Sequence, residues 1–150
     1  MLHIMKRTLM GLVATAVVTG AAYAEDIKPA IIYDLGGKFD KSFNEAAYNG
    51  AEKFKSETGI DYRDFEIAND SQREQALRRF AKDGNNPIVM AGFSWSAALE
   101  KIADEYPDLS FAIIDMVVDK PNVQSVVFKE QEGSYLVGVM AAEASETGTV

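Results

Sequence analysis

From residue 28 onward, short apolar runs alternate with longer stretches whose apolar residues recur every three or four positions. Ala30–Tyr33 is a continuous apolar run that ends at Asp34, the pattern of a strand buried on both faces. A helix is predicted from Ser42 to about Glu57, with Phe43, Ala47, Gly50 and Phe54 on one face and Thr58 and Gly59 closing it. Ser42 and Glu45 have the spacing of a capping box, and Ser71 and Glu74 repeat it at the head of a second helix. Between them, Tyr62 to Ile67 alternates apolar and polar residues, as a strand with one wet face does.

The second helix carries Leu77, Phe80 and Ala81 as its apolar stripe and ends in a turn at residues 83–86. Pro87–Ala91 is the next buried run and leads into Gly92, Phe93 and Ser94. A third helix buries Ala98, Leu99 and Ile102 and stops before Pro107. Ser110–Ile114 is another apolar strand, again ending on an acid, Asp115. Val123 to Phe128 is a fifth strand, and Gln131 to about Ser145 a last helix with Tyr135, Leu136, Val139 and Met140 on its inner side. The closing residues 147–150 read as entry into a further strand, so the expectation is a truncated α/β lobe over residues 25–150 with its second lobe largely missing.

Strands and helices alternating at this spacing predict βαβ units: a parallel sheet flanked by helices on both faces. Ligands of such sheets bind outside the carboxyl ends of the strands. Three segments fall there: Asp34 with its glycine-containing loop, Gly92 with Phe93 and Ser94, and Asp115.

Ahead of the first strand, Lys6 and Arg7 precede a short uncharged run that closes on Ala22, Tyr23 and Ala24. This is the make-up of a Sec-type signal peptide cleaved after Ala24, and the run is shorter than the roughly 20 apolar residues of a membrane span. Its removal takes away two basic residues and no acidic one, so the formal charge moves from −8 to −10. An acidic exported domain is poorly suited to nucleic acid or anionic lipid.

The chain has no cysteine, and its one histidine, His3, falls in the leader. The rest of this chain therefore lacks Ser-His-Asp and Cys-His catalysis, Cys/His zinc sites, disulfides and an acylated lipobox cysteine. Carboxylate chemistry stays available.

Each candidate has a structural reading beside a functional one. Asp34 is a turn former or a carboxylate that accepts from ligand N–H or hydroxyl groups. Phe43 is core or a ring for stacking, a contact worth about 1–3 kcal/mol on a nucleobase. Asn44 is a solvated helix residue or a two-way hydrogen-bonding group for a purine edge. Phe93 and Ser94 are a helix start or cleft lining, and Asp115 is a second turn former or a partner to Asp34. Two facing carboxylates also raise a glycosidase pair. Lys129 and Glu130 read as a solvated helix start.

The stretches "DLGGKFDKSFNEAAYNGAEKF", "AGFSWSAALEKIADEYPDLSFAIID" and "PNVQSVVFKEQEGSYLVGVMAA", with the closing "TGTV", resemble the basic membrane protein family. These are substrate-binding proteins of ABC transporters, among them bacterial purine nucleoside receptors. The resemblance implies a type I periplasmic-binding-protein lobe, no cofactor and no metal. It implies a purine held on Phe43, its base read by Asp34 and Asn44, ribose hydroxyls held by Asp115, and Phe93 and Ser94 lining the cleft. It further implies a monomer that serves an ABC permease; without a lipobox cysteine, a freely diffusing periplasmic protein is expected. A carboxylate-based nucleoside hydrolase or glycosidase, and a sensing domain that signals to a membrane partner, are the alternatives.

Overall fold

A computed structural model describes residues 27–150; the leader reading of residues 1–24 lies outside them. Five parallel strands form one sheet in the order β2-β1-β3-β4-β5: β1 Ala30–Tyr33, β2 Arg63–Glu66, β3 Ile88–Ala91, β4 Phe111–Ile114 and β5 Val123–Val126. The four helices are α1 Phe43–Thr58, α2 Arg73–Lys82, α3 Ser96–Glu105 and α4 Glu130–Ala144. The α/β class and the parallel pairing are those read from the sequence.

Strand composition tracks position in the sheet. Every residue of the interior strand β1 is buried, whereas the edge strands Arg63–Glu66 and Val123–Val126 contain no buried residue. One face carries the core: Ile32, Ile88, Met90, Phe111 and Ile113 pack against Leu77 and Phe80 of α2 and Leu99 and Ile102 of α3. Helix α1 ends on Gly59, whose φ of 73° is left-handed and whose N–H donates to the Lys55 carbonyl.

The opposite face is covered differently from the sequence expectation. Five strands span roughly 20 Å at their usual spacing, and one helix is only about 10 Å wide. With α1 alone on that side, an apolar groove of about 690 Å³ opens between Ala47, Gly50 and Phe54 of α1 and Ile31, Val89 and Ile114 of the sheet. Helix α4 does not fill it. Tyr135, Leu136, Val139 and Met140, expected on an inner face, are exposed, and α4 contains no buried residue. Residues 133–142 of α4 carry no charge, so neither side of that stretch marks a solvent face. Residues 147–150 form no strand.

Neither capping box forms as spaced. The hydroxyls of Ser42 and Ser71 cap no helix; Glu45 accepts from the Lys41 N–H, and Glu74 pairs with Arg78 and Lys101. A 3-10 turn, Asp70–Gln72, starts the α2 segment instead.

Candidate ligand-binding site

The chain leaves β1 toward β2 on one side and returns to β3 on the other, so the connections diverge at the β1–β3 boundary. In such sheets ligands bind outside the carboxyl ends of the strands at that divergence. Asp34, Gly92 and Asp115 directly follow β1, β3 and β4, and register brings them to the same edge. The Gly92 N–H donates to the Ile114 carbonyl at 3.1 Å, tying the second position to the third.

The first loop is organised from inside by Asn44, which is 1% exposed. Its Oδ1 accepts the Asp34 N–H at 2.9 Å, and its Nδ2 donates to the carbonyls of Asp34 and Gly37 at 3.0 and 3.1 Å. Its carboxamide is therefore committed to backbone. The expectation that Asn44 reads a ligand edge is revised: it fixes the shape of the loop that presents Asp34. A buried, fully satisfied amide is what specifies one loop conformation among many.

Asp40 supplies the cap that Ser42 was expected to give. Its Oδ1 accepts from the N–H groups of Ser42 and Glu45, and its Oδ2 from that of Asn44. Partial burial opposes the charged form, but these backbone N–H bonds outweigh it and hold the Asp40 carboxyl below its ordinary value. At the far side of the loop, Glu66 accepts the Lys38 N–H at 2.8 Å, and Lys38 pairs with Asp64. The loop is thus pinned to helix α1 at one end and to strand β2 at the other.

The Asp34 side chain is clamped through one oxygen. Oδ1 accepts the Leu35 N–H at 2.6 Å and Nη2 of Arg73 at 2.5 Å, and Arg73 also pairs with Asp70. Arg73 is 7% exposed and lies 5.0 Å from the centroid of the buried Trp95 ring. Oδ2 of Asp34 has no donor within the described residues and lies against Gly92, where an added Cβ would come within 2.7 Å of it. Gly92 has φ 106° and ψ 150°, a conformation that essentially only glycine adopts.

The rings differ in exposure. Phe93, in a 3-10 turn over Phe93–Trp95, is 61% exposed, and Phe43 is 42% exposed. Phe43 meets Phe128 edge-on with centroids 6.1 Å apart. Ser94 is half-buried between exposed Phe93 and buried Trp95. Exposed rings beside polar groups are the furnishing of a recognition surface rather than of a core.

Asp115 is held in left-handed backbone, φ 73°, by its N–H donating to the Val126 carbonyl at 2.7 Å. Non-glycine residues in that region mark strain that the surroundings impose. Burial and hydrogen-bonding contact with Glu130 raise the Asp115 carboxyl above its ordinary value. Glu130, expected only as a solvated helix start, thus also belongs to the site's edge.

The large groove beside α1 is a separate feature. Its lining is almost entirely apolar, and of the candidate site residues it includes Phe43 alone. Two residues that organise the site, Asp40 and Arg73, escape the sequence reading. Arg73 lies 39 positions from Asp34, and no local pattern announces that pairing.

A parallel sheet with polar and aromatic groups gathered at its switch point defines an α/β ligand-binding lobe. Residues 28–150 match the Bmp family model, described as ABC transporter substrate-binding protein PnrA-like. The chain belongs to this family. It is 34% identical over 144 residues to an uncharacterized lipoprotein of Pyrococcus furiosus, covering 94% of this chain and 36% of that protein. It is 31% identical over 137 residues to the ABC transporter nucleoside-binding protein BmpA of Lactococcus lactis, covering 88% and 39%. The crystal structure of an ABC transporter solute-binding protein from Aeropyrum pernix superimposes with a TM-score of 0.73 at 36% identity, over 77% of this chain and 32% of that one. The chain spans well under half the length of these relatives.

Proposed function

We propose that this chain forms the N-terminal ligand-capturing lobe of a periplasmic substrate-binding protein that delivers a purine nucleoside or free base to an ABC permease. The observation that carries the reading is the convergence of a clamped carboxylate, exposed phenylalanine rings and a strained aspartate at the ends of β1, β3 and β4. Phe43 or Phe93 offers a stacking face, the free oxygen of Asp34 accepts from the ligand, and Asp115 accepts from ribose hydroxyls. The name of the Lactococcus relative, a nucleoside-binding protein, favours the same class of ligand.

Recognition without turnover is part of the same proposal. The described residues hold no thiol or imidazole, and the matched family is described as substrate-binding proteins. The Pyrococcus relative is named a lipoprotein, but this chain has no cysteine to acylate. A freely diffusing monomer in the periplasm is the form proposed.

Calorimetry on the complete mature protein, freed of carried-over ligand, tests the reading with adenosine, guanosine, inosine, adenine, uridine, ribose and an amino-acid mixture. Binding restricted to purine compounds, with no product formed on prolonged incubation, supports it. Silence toward every purine, or hydrolysis of a bound nucleoside, overturns it.

A further inference from the structure

The two faces of the sheet are covered unequally. On the side of α2 and α3, Ile88 and Met90 of β3 and Phe111 and Ile113 of β4 are buried. The alternate positions Val89, Ala112 and Ile114, on the α1 side, are only half-buried although both strands are interior. Parallel sheets are ordinarily covered on both faces. The groove beside α1 opens over this strip, and apart from Ser42 and Tyr62 its lining side chains are apolar. Its α1 wall is built largely of Ala46, Ala47, Gly50 and Ala51, small residues that let a second helix approach closely.

Helix α4 is an apolar surface without a partner. Tyr135, Leu136, Val137, Val139 and Met140 are exposed, Tyr135 by 73% and Met140 by 68%, and no residue of α4 is buried. Its charges, Glu130, Glu132 and Glu143, stand at its two ends. The uncharged stretch 133–142 runs about 15 Å along a helix and a strand of 4 residues about 13 Å, so α4 matches the depth of sheet left open.

We infer that the groove is the docking surface of α4 itself, which seats beside α1 in the complete protein and seals the second face of the sheet. The connection selects α4 over other occupants. Residues 127–129 join β5 to α4, and such a link reaches about 10 Å, the width of one helix. Phe128, within that link, already lines the groove and meets Phe43 of α1 edge-on. A helix tethered so close reaches the groove at a far higher effective concentration than a second copy or a distant segment does. Asp34, Phe93 and Asp115 lie outside the groove lining, so the inference stands apart from the ligand reading.

Residues 1–150 contain no cysteine, so cysteines placed in pairs in the complete protein report the contact. Gly50→Cys is the anchor on α1, since a Cβ there meets nothing within 4 Å. It is combined in turn with a cysteine at each of residues 135–140, which circle α4 more than once, and treated with a short thiol–thiol cross-linker. Cross-links within one molecule are expected on one side of α4, recurring every three to four residues, and absent from the other side. Asn49→Cys, exposed and outside the groove lining, should give none. Ala47→Cys, also in the lining, replaces the anchor if Gly50→Cys disturbs the docked pair.

No cross-link at any position, or equal cross-linking all round α4, overturns the inference. Cross-links formed only between molecules overturn it too and assign the groove to a second copy. Single variants give an independent reading: Gly50→Cys or Ala47→Cys should react with a maleimide more slowly than Asn49→Cys, and equal rates at all three overturn the inference.

Discussion

Asn44 and Asp34 form a reciprocal hydrogen-bonded pair: the Asn44 carboxamide accepts the Asp34 N–H at 2.9 Å and donates to the Asp34 carbonyl at 3.0 Å. The pairing is the one a neighbouring strand would offer, and it comes from the first turn of α1. It therefore sets the carboxylate that leaves β1 in fixed relation to the ring of Phe43, one residue before Asn44.

Asn44→Leu keeps the volume and removes the pairing. The backbone groups of residues 34–37 would be left without partners inside the protein, at an expected cost of about 2–4 kcal/mol. Urea unfolding checks this. A variant of native stability that had lost only ligand binding would return Asn44 to the role of a reader.

Phe43→Ala tests stacking. The ring is 42% exposed, so the fold should tolerate its loss, while purine affinity falls by about 1–3 kcal/mol. Paired melting and calorimetry separate the two effects, and unchanged affinity would remove Phe43 from the site.

Gly92→Ala adds a Cβ within 2.7 Å of Asp34 Oδ2 at a backbone geometry with φ 106°. The strain should cost about 1–3 kcal/mol and push the Asp34 carboxylate off its clamp. Ligand affinity should fall further than for a surface glycine such as Gly84, whose added Cβ meets nothing.

Asp40 and Asp115 should shape acid sensitivity in opposite senses. Asp40 has a folded value below its ordinary 3.8, so it contributes stability above that pH and loses it as pH falls through the folded value. Asp40→Ala should cost about 1 kcal/mol at neutral pH, the size of a lost helix cap, and less in acid.

Asp115 lies above its ordinary 3.8, so its ionised form weighs against the fold at neutral pH, and the cost fades as pH falls through the raised value. Asp115→Asn should therefore stabilise at pH 7 and lose that gain toward pH 4, helped by the tolerance of asparagine for left-handed backbone. It should also weaken nucleosides more than free bases, by about 1.5–3 kcal/mol if the carboxylate meets ribose hydroxyls. Melting curves across pH and a base-versus-nucleoside titration read the two effects.

Much of this architecture is legible in the chain because period and position coincide. The run at Ala30–Tyr33 is apolar throughout because it is an interior strand paired on both sides, and Leu77, Phe80, Leu99 and Ile102 fall at helical spacing because α2 and α3 each bury one face. Caps were less legible: the spacing of Ser42 and Glu45 fits a capping box, but Asp40, four residues before Asn44, reaches three N–H groups at once and displaces the serine. Asn44 reads as an exposed helix residue because nothing local shows that the loop folds over it. The pairing of Arg73 with Asp34 is invisible for a similar reason, since it is set by the approach of the β1 end to α2. The inner face assigned to α4 presumed a surface for it to cover, and α4 lies off the sheet with that face exposed.

Hydrogen exchange on the complete protein with and without inosine tests most directly where the ligand sits. Protection is expected in residues 34–44, 92–96 and 114–117, the segments leaving β1, β3 and β4. Protection confined to residues 46–54 and the α1 groove, with the strand ends unchanged, would contradict a site at the switch point.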